Sequence, residues 1–255
     1  MNRKQFWTCV AVVVFVACLV KCRAQGLIID SYRFFTPTPS PTPEDIQSLR
    51  FYWNFVDLDT NNVAVSSWID RVQGYGLGMA DAAKQPVGST GGVYFAGSPR
   101  HLTNQPQFDW EVPSGSGGTG TVWTVIRPQT PDSTYGALFA GGDGHTLNTK
   151  SGNVWAYYGE SGGVDPFGSF VSDTTYDISI VFTSAGNVVV STNNVQAING
   201  TYGVPTSGQR YVGWDVLTFF YKGYILELAW FSNRLTSAEL ELLHTYATNK
   251  YQYGP

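Results

Sequence analysis

Along most of the chain after Leu49, hydrophobic and polar residues alternate with a period of two. The clearest examples are TVWTVIRP at 121–128 and YDISIVFT at 176–183, and clusters rich in Gly, Ser and Asn separate such runs. This alternation predicts half-buried β-strands, and the clusters provide the residue types that tight turns require. The other predicted strands are 49–55, 63–70, 92–97, 107–112, 136–141, 153–159, 187–192, 210–214 and 224–231. Many short strands with no helical pattern between them predict an all-β fold, specifically a two-sheet antiparallel jelly-roll sandwich.

A helical pattern follows the last predicted strand and predicts one short C-terminal helix. Thr236 and Glu239 have the spacing of a capping box, and Leu235 and Leu240 have that of a hydrophobic staple. The apolar stripe that continues along this helix consists of Leu240, Leu243, Ala247 and Tyr251. We expect the helix to cover apolar surface of a sheet or to close one end of the sandwich.

The strand at 224–231 is apolar on both faces, which predicts a central strand that is covered on both sides. Strict alternation places Glu227, the only acidic residue of the strand, on the face of Ile225 and Phe231. We expect Glu227 to be a buried acid held by Arg234 or by the backbone, with an edge position or a functional role as the alternatives.

The first 45 residues differ in character from the rest. Residues 1–24 combine a basic start with an apolar run of about 15 residues, which predicts a secretory signal peptide. An uncleaved membrane anchor is the alternative, although roughly 20 apolar residues are needed to cross a bilayer comfortably. Residues 25–45 contain TPTPSPTPED, which predicts a stiff Thr/Pro-rich spacer, or else a segment laid along the domain that residues 46–255 form. A secreted or cell-surface location follows from the signal peptide.

Charge and cysteine usage exclude several classes of partner. Cys9, Cys18 and Cys22 all lie within the predicted signal peptide, so the mature chain would have neither disulfides nor cysteine metal ligands. Residues 1–24 also hold four basic residues and no acidic one, and their removal leaves 11 basic against 19 acidic residues, a net charge of −8. A chain of that sign has no electrostatic footprint for nucleic acid or an anionic membrane. We therefore expect neither nucleic-acid binding nor membrane insertion of the mature domain.

Two different sets of short motifs lie near the two ends of the predicted domain. The opening motifs are an aromatic–Asp segment, a V-x-x-W-x-D strand, a Gly-rich turn, a Pro, and a V-x-F-x-G strand followed by a Leu. They are carried by Trp53, Asp57, Val65, Trp68, Asp70, Gly74, Gly76, Pro86, Val93, Phe95, Gly97 and Leu102. A closing strand and helix are carried by Tyr221, Gly223, Ile225, Glu227, Arg234, Leu235, Thr236, Glu239, Tyr246, Lys250 and Tyr251. Together, over roughly residues 49–251, these motifs are similar to laminin G-like jelly-roll domains of the concanavalin A-like lectin/glucanase superfamily. The resemblance implies the sandwich fold and its closing helix, in a superfamily of lectin-like modules, adhesion domains, virion proteins and some glycoside-active enzymes.

The sequence offers little that would support catalysis. Enzymes of this superfamily typically carry their carboxylates on one strand in an E-x-D-x-x-E pattern, and that spacing does not occur here. Ser161 matches G-x-S-x-G, but Pro166 and Gly168 follow where a nucleophile elbow requires a helix. We therefore expect a protein that is not an enzyme. An enzyme stays an alternative if folding brings together acids that are distant in sequence, namely Asp109, Glu111, Glu160 and Asp215.

Aromatic residues on the predicted strands are candidates for a carbohydrate site, because sugars stack their flat faces on aromatic rings. The candidate ligand-binding residues are Trp110, Trp155, Tyr157 and Trp214. Asp57 and Asp59 offer hard oxygen ligands for calcium, with a role as turn-forming residues as the alternative. His145 is expected at an exposed loop tip, and the histidines show no ligand spacing for a transition metal. Asn199 begins an Asn-Gly-Thr glycosylation sequon, which matters if the host glycosylates secreted proteins.

These observations predict a secreted or surface-displayed, non-catalytic binding module whose partner is a glycan or a surface protein. Carbohydrate binding, as in a lectin, or adhesion is the expected function; no cofactor is required, and calcium is the metal to consider. The first alternative is a structural or decorating component of a virion, an envelope or an extracellular assembly. The second alternative is a hydrolase or lyase that acts on polysaccharide.

Overall fold

The computed structural model describes residues 41–58, 61–105, 119–141, 145–159, 164–183, 186–203, 210–214 and 219–253. Within these residues the chain forms two antiparallel β-sheets and one α-helix. This confirms the predicted all-β sandwich with a short C-terminal helix. The predicted signal peptide, most of the spacer and the predicted strand at 107–112 lie outside the described residues.

The first sheet, which we call the helix sheet, has nine strands in the described part of the chain. Numbered in chain order, they are β1 (Leu49–Asn54), β2 (Asn61–Ala64), β5 (Val87–Ser89), β6 (Gly92–Ala96), β8 (Gly120–Pro128), β13 (Tyr176–Phe182), β14 (Asn187–Thr192), β15 (Val195–Thr201) and β17 (Lys222–Phe231). Their order across the sheet is β15-β14-β13-β8-β17-β6-β5-β2, and β1 pairs with β17 beside this path.

The second sheet has eight strands in the same described ranges. They are β3 (Ser67–Ile69), β4 (Gly76–Gly78), β7 (Leu102–Gln105), β9 (Tyr135–Gly141), β10 (Thr146–Lys150), β11 (Val154–Tyr158), β12 (Val164–Ser169) and β16 (Arg210–Val212). Their order is β12-β11-β10-β9-β16-β7-β4-β3.

An apolar core fills the space between the two sheets. Large aromatic side chains from both sheets are buried in it, including Trp53, Trp68, Phe95, Trp155 and Trp230. Each such ring removes roughly 150–250 Å² of surface from water, so these residues dominate the core energetics. Three of them, Trp53, Trp68 and Phe95, belong to the opening motifs, which therefore serve the core.

The strand β17 lies at the centre of the helix sheet, as predicted, between β8 and β6. A bulge interrupts its pairing with β8, because Ile225 pairs with Ile126 and Glu227 pairs with Val125. The extra residue, Leu226, shifts the alternation, so Ile225 points into the core between the sheets. The prediction that Ile225 and Glu227 share a face is therefore wrong.

The helix α1 (Ser237–Tyr251) covers the outer face of the helix sheet, which we call the helix face. The predicted capping box is confirmed, since the Thr236 hydroxyl accepts from the Glu239 N–H and the Glu239 side chain accepts from the Thr236 N–H. Leu243 and Ala247 are buried against the sheet. The second apolar cluster that forms there contains Ile46, Tyr52, Trp123, Val125, Leu226, Ala229, Phe231, Leu235, Leu243 and Ala247, with Leu240 and Tyr251 packed against it.

The end of the predicted spacer packs on the domain. Pro43 is buried at the start of a 3₁₀ turn, and Thr42 and Asp45 form a capping box around it. Glu44 forms an ion pair with Arg71 at 3.1 Å. Residues 41–45 thus contact the domain just before the predicted boundary at residue 46.

Candidate functional site

A groove of about 610 Å³ opens on the helix face, between the strands β13–β15 and the start of α1. Val181, Val189 and Leu240 contribute apolar surface to it. Its polar lining comes from Ser191, Asn194, Gln196, Asn199, Arg234, Thr236, Ser237 and Glu241. The volume lies within the range of roughly 300–1,000 Å³ that is usual for small-molecule sites.

Strand pairing explains why these residues face the groove. Val181 pairs with Val189, and Val189 pairs with Asn199, so the three side chains form one row on the helix face. A register shift between Val190 and Ser191 then brings Gln196 opposite Ser191. The edge strand β15 therefore presents amide side chains on the side where the helix begins.

Both charged residues that line the groove, Arg234 and Glu241, lie on its helix side. The Asn194 amide donates to the Glu241 carboxylate at 2.5 Å, which ties the β14–β15 turn to α1. Arg234 is exposed, and it has no ion-pair partner within the described residues. Its guanidinium donors are therefore available to a ligand.

Glu227 lies under the helix, fully buried, and it is held by four donors. Tyr52 donates to Oε2 at 2.6 Å, while Tyr246 at 3.0 Å, Lys250 at 2.6 Å and Tyr251 all donate to Oε1. The partner is Lys250 rather than Arg234, which corrects one part of the sequence prediction. A buried charge that is paired and hydrogen-bonded in this way serves to hold α1 on the sheet.

The three tyrosines beside Glu227 are poorly placed to ionise. Burial and then the negative charge of Glu227 raise the pKa of Tyr52, Tyr246 and Tyr251 above the usual value. A second anchor lies nearby, where the buried Asp177 accepts from the Tyr253 hydroxyl at 2.7 Å and lies 2.7 Å from His244 Nδ1. Both clusters fix the second half of the helix.

The predicted aromatic ligand residues do not form one site. Trp155 and Tyr157 share a face, as predicted from β11, but that face points into the core and both rings are buried. They have no surface to offer a sugar, so the prediction for these two residues is wrong. Trp110 lies outside the described residues.

Trp214 is half-buried within an aromatic group on the second sheet. His101 lies 4.5 Å from it, Tyr211 5.2 Å and Phe220 6.0 Å, measured between ring centroids. Burial lowers the pKa of His101, so its imidazole is neutral near physiological pH. The rings of these neighbours pack around the half-buried indole, and a ligand-binding role for Trp214 stays a prediction.

Asp57 has a partner other than calcium. The Arg71 guanidinium donates to both carboxylate oxygens, at 2.6 and 2.8 Å, and a metal would have to displace this bidentate pair. Asp59 lies outside the described residues. Across the described ranges, no group of three or more His, Cys, Asp or Glu side chains could hold a metal ion.

His145 is buried, and its Nδ1 lies 2.8 Å from the Tyr157 hydroxyl, so the prediction of an exposed loop tip is wrong. The residues considered for catalysis, namely Asp109, Glu111, Glu160, Ser161 and Asp215, lie outside the described residues. Asn199 is exposed and lines the groove, so its sequon is accessible on an edge strand.

The sequence prediction missed the groove because two of its amides, Gln196 and Asn199, lie on a strand that was not predicted. In NNVQAINGT, the residues that face the groove are amides, and amides are weak strand formers. A usable signal was the segment 195–199 after the valine run at 188–190, because it mixes apolar residues with the amides Gln196 and Asn199, as an edge strand with one solvated face does.

No family model matches the sequence, and no curated protein matches it. Solved structures do resemble the fold. The chain is 15% identical to Trypanosoma rangeli sialidase, with a TM-score of 0.59 over 83% of this chain and 34% of that chain. Its complex with sialic acid gives 15% identity, a TM-score of 0.58, and coverage of 80% and 33%. The binding domain of botulinum neurotoxin serotype D gives 10% identity, a TM-score of 0.52, and coverage of 78% and 52%.

These likenesses show the fold alone, an all-β sandwich, because all the identities are low. This chain spans about a third of the sialidase chains and about half of the neurotoxin chain. A search of the described residues for helices long and apolar enough to span a membrane found none.

Proposed function

We propose that this protein is a secreted, non-catalytic module that binds a glycan in the groove between β13–β15 and the start of α1. The groove itself carries the proposal. Amides, hydroxyls, one guanidinium and one carboxylate surround apolar contacts from Val181, Val189 and Leu240. Sugars require this mixture, because their hydroxyls need donors and acceptors while their C–H faces need apolar contact.

The charges of the groove support a ligand without net charge. Arg234 and Glu241 bring opposite charges, so the lining has no strong preference for an anion or a cation. The laminin G-like resemblance is compatible with a glycan partner. So are the similar solved structures, which include a sialidase in complex with sialic acid and the receptor binding domain of a botulinum neurotoxin.

The environment of the buried carboxylate supports binding without hydrolysis. Some glycosidases use a tyrosine as the nucleophile, and such a phenol has to ionise to attack. Here burial and the charge of Glu227 raise the pKa values of the neighbouring tyrosines, and Tyr52 is fully buried beneath the helix. Among the described residues, this Tyr–Glu cluster is therefore suited to holding the helix on the sheet and not to nucleophilic attack.

A glycan array with the purified full-length protein, followed by titration calorimetry, tests the proposal. Gln196→Ala and Arg234→Ala should each weaken binding about tenfold or more, because each removes donors from the groove. Gln47→Ala and Arg50→Ala are matched controls, since both residues are exposed and lie outside the groove.

Equal binding by the groove variants and the controls would contradict the site. Release of reducing sugar from any bound glycan would contradict the non-catalytic function. A wild-type protein that binds nothing across a broad array would favour an assembly component instead.

A further inference from the structure

A row of aromatic and cationic side chains crosses the helix face beyond the second half of α1. Val87 pairs with Tyr94, Tyr94 pairs with Tyr224, and Tyr224 pairs with Arg127, so these four side chains stand side by side on β5, β6, β17 and β8. The helix does not cover them: all four are only partly buried, whereas Val125 and Leu226 under the helix are buried.

Three of these side chains contact one another in a row across the sheet: Arg127, Tyr224 and Tyr94. We call this row the tyrosine ladder. The Arg127 guanidinium carbon lies 5.6 Å from the centroid of the Tyr224 ring. The Tyr224 and Tyr94 ring centroids are 4.7 Å apart with an angle of 37° between the planes. Such contacts hold the rings upright on the sheet.

The turn between β5 and β6 packs closely against the ladder. A Cβ atom at Gly91 would stand 3.3 Å from Arg127 Nη1 and 3.4 Å from Tyr224 Cε1. A larger residue there would push against both groups, so the glycine allows the turn to brace them.

A polar rim borders the ladder on one side. The Tyr94 hydroxyl donates to Gln129 Oε1 at 3.2 Å, and the Gln129 amide donates to Asp173 at 2.8 Å. Lys222, which precedes Tyr224 by two residues and shares its face, forms an ion pair with Asp132 at 2.6 Å. The side chain of Asp132 is 59% exposed, so this rim offers charged donors and acceptors to solvent.

We propose that the tyrosine ladder is a second carbohydrate-binding surface, separate from the groove, that takes one pyranose ring. Arg127 occupies one side of Tyr224 and Tyr94 the other, while the shorter Val87 side chain stands beside the base of Tyr94. The sugar therefore stacks on the outer part of the Tyr94 ring, above Val87. The C–H face of the sugar contacts the ring, and its hydroxyls reach Gln129, Lys222 and Asp132. The proposal shares the ligand class of the proposed function but needs none of the groove residues.

Saturation-transfer NMR with methyl glycosides of glucose, galactose and N-acetylglucosamine tests this surface in the full-length protein. We expect signals from at least one of the three in the wild type. Tyr94→Leu should reduce them at least fivefold because it removes the flat ring but keeps an apolar side chain of strand type. Tyr94→Phe should retain them because it keeps the ring.

Tyr75→Leu is the matched control, because Tyr75 is 39% exposed and lies outside the ladder. Thermal melts confirm that each variant is folded. Equal signals from wild type and Tyr94→Leu, or no signal from any glycoside, would overturn the ladder as a sugar site. Loss of signal in Gln196→Ala would also overturn it, by assigning the monosaccharide to the groove. Signals that survive the groove variants and vanish in Tyr94→Leu support the ladder, even if the groove itself binds nothing.

Discussion

Glu227 has no exposed surface, yet four side chains from two elements meet at its carboxylate. Tyr52 reaches it from β1, while Tyr246, Lys250 and Tyr251 reach it from α1. The Tyr52 hydroxyl is itself held by the Asn54 amide at 2.8 Å. A network of this kind is stable only while every member is satisfied, because an unpaired buried polar group is costly.

Removal of the carboxylate should therefore be severe. Glu227→Ala leaves Lys250 and the phenols without their shared acceptor, and we expect a loss of about 3–5 kcal/mol in the free energy of unfolding. Urea denaturation followed by circular dichroism measures it. Glu44→Ala is the control, because it breaks an exposed ion pair with Arg71 that is worth about 1 kcal/mol or less. Similar losses in the two variants would argue against a structural role for the cluster.

The raised pKa values of Tyr52 and Tyr251 also predict a pH dependence. Burial and Glu227 hold both phenols protonated in the folded state, whereas in the unfolded chain they ionise near the usual pKa of about 10. The folded state then binds more protons above pH 10, so this stabilisation is complete below pH 10 and is lost as the pH rises further. Denaturation midpoints between pH 8 and 11.5 should be flat at first and then fall. Ionisation of every tyrosine near pH 10 with the fold intact, seen by absorbance at 295 nm, would contradict this.

At the scale of elements, the C-terminal helix shows which features short sequence patterns can predict. Its capping box, staple and apolar stripe all depend on residues within a few positions of each other, and the structure contains each of them. The central position of β17 was also predictable, because a strand that is apolar on both faces needs cover on both. Such features depend on residues that are close together in sequence, so they can be predicted from the sequence alone.

Features that depend on a distant partner were not predictable. The bulge at Leu226 is set by pairing with β8, about a hundred residues earlier, and it reverses the faces of Tyr224 and Ile225. Alternation correctly put Trp155 and Tyr157 on one face, but it could not say which face is buried. The strand β12 contains Pro166 and was missed, although it lies at a sheet edge, where a missing N–H is tolerated.

The capping box gives a test at this scale. Thr236→Ala removes the acceptor for the Glu239 N–H, and we expect a loss of about 1 kcal/mol in unfolding free energy. Thr248→Ala is the control within the same helix: its hydroxyl bonds only to the Thr245 carbonyl, and alanine has the higher helix propensity, so stability should stay equal or rise slightly. An equal effect of the two substitutions on the chemical denaturation midpoint would mean that the cap is dispensable.

At the scale of the whole molecule, the groove and the tyrosine ladder lie on one side, the helix face, near opposite ends of α1. The glycosylation sequon at Asn199 lies on the same side, at the groove itself. Within the described residues, both proposed sites therefore open on the same face, while the second sheet contributes core residues and an aromatic group around Trp214.

This placement predicts that glycosylation controls the groove. When the protein is produced in a eukaryotic secretory host, a glycan on Asn199 should occupy the groove and weaken ligand binding at least tenfold. Enzymatic deglycosylation, or Thr201→Ala, which removes the sequon but keeps Asn199, should restore it. Intact mass measures occupancy and calorimetry measures affinity. Equal affinity of the fully glycosylated and deglycosylated forms would show that the groove is not the binding site.

The central place of β17 also has a consequence for how the chain is made. Residues 222–231 join β8 to β6 and provide the partner of β1, so the helix sheet cannot close until they have left the ribosome. Most contacts of the sandwich link distant parts of the chain, which makes such folding slow and leaves partly made chains exposed. The strands made before β17 accordingly stay incompletely paired and accessible to chaperones until this strand emerges and joins β8, β6 and β1.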